Sequence, residues 1–388
     1  MIDAPQPSPS LGAALRLPFD PLLALAVVGL AVCSLVAVQA SSPGELGSYY
    51  VVRQAAYFVL GLVLAVAVSR VDYSRLRELK YGLYALLILS IVAVLIFGSV
   101  SRGSRLSIEF PFFSFQASEL GKLLLVVVLA AFLTDRSRRL DDRDTTARTL
   151  LLALIPAAVV MIAPDLGSAT VYVVVAVALL FLVGTSWKHF AALGALMVTA
   201  VTLVLVAAPA VGMTVLEDYQ KERLTAFLEP SADPADAGYQ QAQSQVAIGS
   251  GQRTGRGEQA TQTRLDFLPE ARTDFIFAVV GEGWGFVGAG LVLALYALLI
   301  WRGIRVLTMA KNLFGALIAG GIVAMLLYQV FINVGMNVGI MPITGIALPL
   351  MTYGGSSVIS NLLAVGLLQS IYAQGREASA RKGRVAAA

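Results

Sequence analysis

Residues 21–40 read PLLALAVVGLAVCSLVAVQA, a stretch without a single charge. A bilayer's hydrocarbon core is about 30 Å thick and takes roughly 20 apolar residues of helix to cross. This stretch therefore reads as a membrane span. Val38-Gln39-Ala40 imitates a leader cleavage site, but the apolar run is too long for an ordinary secretory leader. Nine comparable stretches follow, at about 50–68, 81–100, 117–134, 149–163, 165–184, 189–211, 275–301, 313–336 and 356–373. The sequence predicts an all-α integral membrane protein of about ten transmembrane helices.

Composition agrees. Of the 388 residues, 57% are apolar and only 13% charged, whereas soluble domains carry about a quarter charged residues. Cys33 and His189 are the single cysteine and histidine. They exclude an intrachain disulfide and a Cys/His zinc site. A Ser-His-Asp triad would have to use His189, and no nucleophile elbow accompanies it. The net charge of +4 reads as loops that set topology, not as a nucleic-acid footprint.

Lys and Arg set the orientation. Arg16, then Arg70, Arg75, Arg77 and Lys80, then Arg136, Arg138, Arg139, Arg143 and Arg148, then Lys188, then Arg302, Arg305 and Lys311, and last Arg376, Arg381, Lys382 and Arg384 fall on one side. Short loops on the other side carry only Arg102 and Arg105. The positive-inside rule then gives N-in and C-in. Residues 1–20 form a cytoplasmic N-terminal tail, 21–373 the transmembrane domain and 374–388 a basic cytoplasmic tail. Loop 135–148 alternates Arg and Asp and reads as a solvated connector. A large extracytoplasmic loop, 212–274, joins helices 7 and 8, and loops of that size are usually functional or disordered. Within it Leu216–Leu228 reads as a helix with Glu217 and Lys221 one turn apart, ended by Pro230 and Asp233-Pro234. Gly238–Ile248 suits a helix lying on the membrane surface.

Ionisable residues in or beside spans are costly and draw functional hypotheses. Glu119 and Lys122 share a helical face at the start of span four, and can equally be a structural pair. Asp165 after Pro164 is an N-cap candidate. Asp274 begins span eight, as a cap, a first-turn acid or a catalytic group; Glu282 follows two turns deeper and could bond a neighbouring helix. Arg53 can snorkel at the outer end of span two. On the expected topology all but Glu282 gather toward the outer side.

Two motif matches fail on context. Gly283–Gly288 fits G-x-G-x-x-G but lies in an apolar helix with no strand before it, so its small residues read as packing positions. Gly249–Gly257 lacks the Gly-Lys-Ser/Thr of a Walker loop, although its backbone N–H groups with Arg253 and Arg256 suit a phosphate. Asn333–Ser357 is apolar yet rich in Gly and Pro. Irregular backbone at membrane depth survives only when packed in protein or lining a cavity, which reads as a re-entrant loop beside a site.

These residues resemble those of the SEDS family (shape, elongation, division and sporulation), the group of RodA and FtsW. The resemblance spans nearly the whole chain and rests on several separate motifs. These are Arg105 with Phe115-Gln116-Ala117-Ser118-Glu119-Leu120-Gly121-Lys122; Ala163-Pro164-Asp165-Leu166-Gly167; Gly238-Tyr239-Gln240; Phe267 through Ala278; and Asn333 through Ser357. Lys221-Glu222-Arg223-Leu224, Phe227-Leu228-Glu229-Pro230 and Thr261-Gln262 before Leu265 look most like the RodA branch. Leu106 stands where the family has tryptophan, Ala117 where it has proline, Arg272 where it has histidine, and Gln252 where a second glycine is expected. A fixed positive charge at Arg272 favours an ionised Asp274.

The resemblance implies a bacterial cytoplasmic-membrane peptidoglycan glycosyltransferase acting in cell elongation and shape. Its substrate would be lipid II and its partner a class B penicillin-binding protein, a transpeptidase. The family's catalytic aspartate falls on Asp274. The expected reaction joins the C4 hydroxyl of one lipid II to the anomeric carbon of a chain held on undecaprenyl diphosphate, inverting an α-linkage to β-1,4. Asp274 would be the general base. Arg105, Lys122, Arg253, Arg256 and Arg272 would neutralise the diphosphate, with Glu119 orienting Lys122. A divalent cation, magnesium or manganese, could share that task, though no ligand cluster is readable and no other cofactor is implied. The alternatives are a lipid II flippase or transporter, with charges near the midplane, and a scaffold that only recruits the transpeptidase.

Overall fold

The structure, a computed structural model, describes residues 19–42, 45–101, 104–140, 142–204, 227, 237–265 and 267–386. The expected N-terminal tail up to residue 18, Arg102, and the Leu216–Leu228 helix apart from Phe227 lie outside the described residues.

The first helix, α1, is Pro21–Ala40, the bounds the apolar run predicts. Asp20 starts it: its carboxylate accepts from the Leu22 and Leu23 amides at 3.1 and 3.2 Å, ahead of Pro21 at the first helical position. Then come α2 (Glu45–Ser69), α3 (Lys80–Phe97), α4 (Ala117–Asp135), α5 (Arg143–Ile162), α6 (Leu166–Leu182), α7 (Trp187–Thr202), α8 (Ala237–Ser250), α9 (Thr261–Arg264), α10 (Ile276–Met309), α11 (Leu313–Val338) and α12 (Gly355–Ala386). Among the described residues eight helices, α1 to α5 and α10 to α12, are long and apolar enough to cross a membrane. The apolar α6 is shorter, at 17 residues, and α7 has 16. The chain is a multi-pass membrane protein.

Burial sorts these helices. Within the apolar windows of α12 and α4, 83% and 78% of residues are buried, against 17% for α3. The first two are interior helices; α3 leaves most of its surface for lipid. α12 lies close on α2 because Gly61 and Gly366 permit it: a Cβ on Gly366 would come 2.6 Å from the Ala65 carbonyl oxygen. Small residues at such contacts let membrane helices approach closely.

The fold is not purely helical. Between α3 and α4 a three-stranded antiparallel sheet forms from β1 (Ser99–Ser101), β2 (Ser104–Phe110) and β3 (Phe113–Phe115), with Val100 opposite Arg105 and Ile108 opposite Phe115. It closes over the start of α12. The Tyr57 hydroxyl donates to the Phe112 carbonyl, Ser356 Oγ donates to the Ser114 carbonyl at 2.7 Å, and the Gln116 amide donates to Ser356 Oγ at 2.9 Å.

α10 is interrupted at Gly285, whose φ of 65° and ψ of −160° are not helical. The Gly-rich loop fills the interruption. Phe286 and Val287 donate their amides to the Gln252 and Arg253 carbonyls at 2.8 and 3.0 Å, and Arg256 donates its amide to the Glu282 carbonyl at 2.8 Å. The small residues of Gly283–Gly288 thus receive a loop. The reading of Gly249–Gly257 as a phosphate cradle loses the Arg256 amide to this helix and the Gly255 amide to Gly251. α8 is no free surface helix either: Ser244 donates to the Asn337 carbonyl at 2.9 Å and Ala247 is fully buried.

The molecule has two chemically distinct ends. At one, Arg302 Nε donates to Asp20 at 2.8 Å and Gln369 donates to the Asp20 carbonyl at 3.1 Å. At the other, beyond the end of α1 and about 30 Å away by helical rise, Arg272 donates to Ser42 at 3.2 Å. The basic segment from Gln374 continues α12 as far as Ala386.

Candidate active site

Asp274 lies two residues before α10, half-buried, on backbone that neighbouring elements grip at every step. Asn333 and Asn337, one turn apart on α11, donate their side-chain amides to the Asp274 carbonyl at 3.0 and 3.1 Å. Thr352 donates its hydroxyl to the Thr273 carbonyl at 3.0 Å, and the Tyr353 amide donates to the Arg272 carbonyl at 2.9 Å. Asn337 also accepts the Ala278 amide at 3.0 Å, which anchors the first turn of α10. Asp274 Oδ2 faces Gly345, where a Cβ would lie 3.6 Å away. Gly345 has φ of 72°, a conformation glycine adopts freely.

Residues 339–354, between α11 and α12, form the expected irregular segment. Buried side chains satisfy its backbone, as depth in a bilayer requires. Ser34 donates to the Met351 carbonyl at 2.8 Å, Gln54 donates to the Thr352 carbonyl at 3.2 Å and accepts the Gly354 amide, and Asn333 donates to the Ile346 carbonyl at 2.8 Å. Ser34 and Gln54 escaped the sequence reading. Their signal was there: both are polar side chains inside otherwise apolar spans.

The motifs that carry the resemblance meet around this segment. Asp165 caps α6, its Oδ1 accepting the Ser168 amide at 2.9 Å, while its Oδ2 accepts the Ser118 hydroxyl at 2.8 Å. Gly167 packs so closely on Thr344 that a Cβ would lie 2.7 Å from its carbonyl oxygen. The α4 start, the α6 start and the Gly345 turn therefore form one continuous wall. In that wall Lys122 Nζ and Glu119 Oε1 pair at 2.7 Å, their side chains only 3% and 5% exposed.

The remaining candidates divide. Arg272 stacks over the Tyr50 ring at 4.2 Å, and Tyr50 in turn packs edge-on against Tyr353. Arg105 sits on β2. Arg253 and Arg256 are exposed on the loop that plugs α10, and Arg256 is tethered to the Ser250 carbonyl at 3.2 Å. Arg53 lies between Tyr49 and Tyr57 and donates to both hydroxyls. Glu282 is fully buried and structural. Its carboxylate accepts the Gln262 and Thr263 amides at 2.8 and 3.0 Å and the Thr263 hydroxyl at 2.6 Å. Among the described residues no group of three or more His, Cys, Asp and Glu is placed to hold a metal.

Fold and site together define a multi-pass membrane protein with an aspartate, Asp274, held by its backbone beside a re-entrant segment at one end. A family model, described as that of the FtsW, RodA and SpoVE cell cycle proteins, matches residues 16–377, and the chain belongs to that family. It is 36% identical over 354 residues to the peptidoglycan glycosyltransferase MrdB of Escherichia coli K12, covering 91% of this chain and 93% of MrdB. A chain solved in a peptidoglycan synthase complex superposes with a TM-score of 0.77 at 31% identity, over 91% of this chain and 97% of that one. The rod shape determining protein RodA of Thermus thermophilus gives 0.67 at 29% identity, over 92% and 97%.

Proposed function

We propose that the chain is a peptidoglycan glycosyltransferase of the bacterial cytoplasmic membrane. It polymerises lipid II into β-1,4 glycan for elongation and shape, with a class B penicillin-binding protein as the partner that crosslinks the strand. The observation that carries this reading is the near full-length likeness to MrdB, with Asp274 facing the Gly345 turn of the irregular segment.

In this reading Asp274 takes the proton from the C4 hydroxyl of the acceptor as that oxygen attacks the anomeric carbon of the donor. The anomeric bond to the diphosphate breaks with inversion, and undecaprenyl diphosphate leaves with the bonding pair. The amides of Asn333 and Asn337 fix the Asp274 backbone, so little reorganisation is needed when the sugar arrives. Lys122, oriented by Glu119, and Arg105, Arg253, Arg256 and Arg272 supply positive charge toward the diphosphate. Any magnesium or manganese would take most of its ligands from phosphate and water, as Mg commonly does, since the described residues hold no cluster of three or more His, Cys, Asp and Glu. The placing of Asp165 and Asp274 against the irregular segment 339–354, at one end of the bundle, favours polymerisation over a flippase reading, which calls for charges at the midplane.

The test is purified protein with lipid II in detergent, where there is no second leaflet to reach. Glycan strands and released undecaprenyl diphosphate are expected without the partner; their absence from folded protein that binds lipid II overturns the reading. In the same assay Lys122→Ala is expected to raise the lipid II concentration needed for half-maximal rate. It also strands a buried carboxylate, a loss of about 3–5 kcal/mol of stability. Glu119→Gln with Lys122→Met should restore the stability but not the lipid II dependence. Recovery of both would make the pair purely structural.

A further inference from the structure

We propose that a groove at the end of the molecule away from Asp274 holds an anionic glycerophospholipid, its acyl chains along apolar walls and its phosphate on Arg70 and Arg381. The groove has a volume of about 1020 Å³ and lies between α1, α2 and α12. Ligand sites typically span roughly 300–1,000 Å³. Its walls include Val27, Val28, Leu62, Val66 and Val365, and its floor is the close contact of Gly366 with Ala65. Val28, Leu62 and Val66 are each about half exposed, so the groove opens sideways toward hydrocarbon.

Its mouth has a different character. Arg70, Lys311 and Arg381 line it together with the acids Asp72 and Glu377. Lys311 is engaged by Asp72 at 3.3 Å and by Gln374. The Asp72 carboxyl, held below its usual range chiefly by the Ser74 amide, stays ionised for that pairing. Gln369 is committed to Asp20. Arg70 and Arg381 are exposed and make no ion pair among the described residues. An occupant must therefore be long and apolar on one side and anionic at the interface. Basic pockets between membrane helices bind anionic lipid headgroups in this way, and guanidinium groups favour phosphate through paired N–H donors.

The proposal is independent of the role of Asp274, and its test needs no enzyme assay. The full chain, purified in a neutral detergent, is titrated with phosphatidylglycerol or phosphatidylcholine of the same acyl chains, and bound lipid is counted by native mass spectrometry. Phosphatidylglycerol should be retained preferentially, and inorganic phosphate alone should not bind. Arg70→Ala with Arg381→Ala should weaken phosphatidylglycerol binding about thirtyfold, leave phosphatidylcholine unchanged and leave the lipid-free melting temperature unchanged. Val66→Trp, which fills the groove from its open side, should reduce binding of the lipid while the two arginines remain. Equal retention of the two lipids overturns the proposal, as does undiminished phosphatidylglycerol binding by the double variant. So does lipid binding that emerges only when residues 2–18 are deleted, which would make the preceding chain segment the occupant.

Discussion

Asp274→Asn is expected to insert and fold like the parent chain and to lower glycan formation from lipid II by about 10²–10⁴, the usual contribution of a general base. The substitution keeps the shape of the side chain and removes its ability to take a proton. Position survives because Asn333 and Asn337 hold this residue by its backbone carbonyl, which the substitution leaves in place. Loss of activity with an unchanged melting temperature and unchanged lipid II binding therefore reports chemistry. Strands produced at near the parental rate would remove Asp274 from the reaction.

The second large effect concerns the break in α10. Gly285→Val is expected to prevent recovery of monodisperse protein from the membrane, or to lower stability by about 3 kcal/mol or more. The residue has φ of 65°, which a β-branched side chain adopts only with strain. A Cβ there would lie 2.3 Å from the Gly255 amide nitrogen and 2.7 Å from the Gly251 carbonyl oxygen. Both neighbours are backbone and cannot swing aside. The plug of residues 251–256 would be expelled, leaving the Phe286, Val287 and Arg256 amides without their acceptors. A folded Gly285→Val protein of parental stability would show that the loop is not seated in the helix.

The spans were legible because a bilayer imposes one requirement on every residue that crosses it. α1 has the bounds its apolar run predicts. The Asp165 cap was also legible, since an acid just ahead of an apolar span has a local job at the helix start. What escaped depends mostly on distant partners. β2 is completed by β1, β3 and the start of α12, and its own alternation, Arg105-Leu106-Ser107-Ile108-Glu109-Phe110, was a strand signal passed over beside the stronger apolar runs. The interruption of α10 needs a loop some thirty residues earlier in the chain to supply acceptors. Helices α5 and α12 run past their apolar stretches, to Arg143 and to Ala386, because a helix need not end where the hydrocarbon does. Within the site, Asp274 and the Glu119–Lys122 pair were readable from charge beside apolar spans. Arg253 and Arg256 were grouped with them because a Gly-rich loop can offer N–H groups beside them to a phosphate; the structure leaves the two arginines exposed but commits the Gly255 and Arg256 amides to the plug.

The central claim is that one carboxylate must be ionised to accept a sugar hydroxyl proton. The pH dependence of kcat/KM for lipid II polymerisation, measured on the parent chain and on Asp274→Asn, tests it directly. A base works only when deprotonated, so the parental rate should fall tenfold for each pH unit on the acid side of its ionisation. The residual rate of Asp274→Asn should be low and lack that limb. An acid limb of the same midpoint and slope in Asp274→Asn would place the proton acceptor elsewhere and contradict the account.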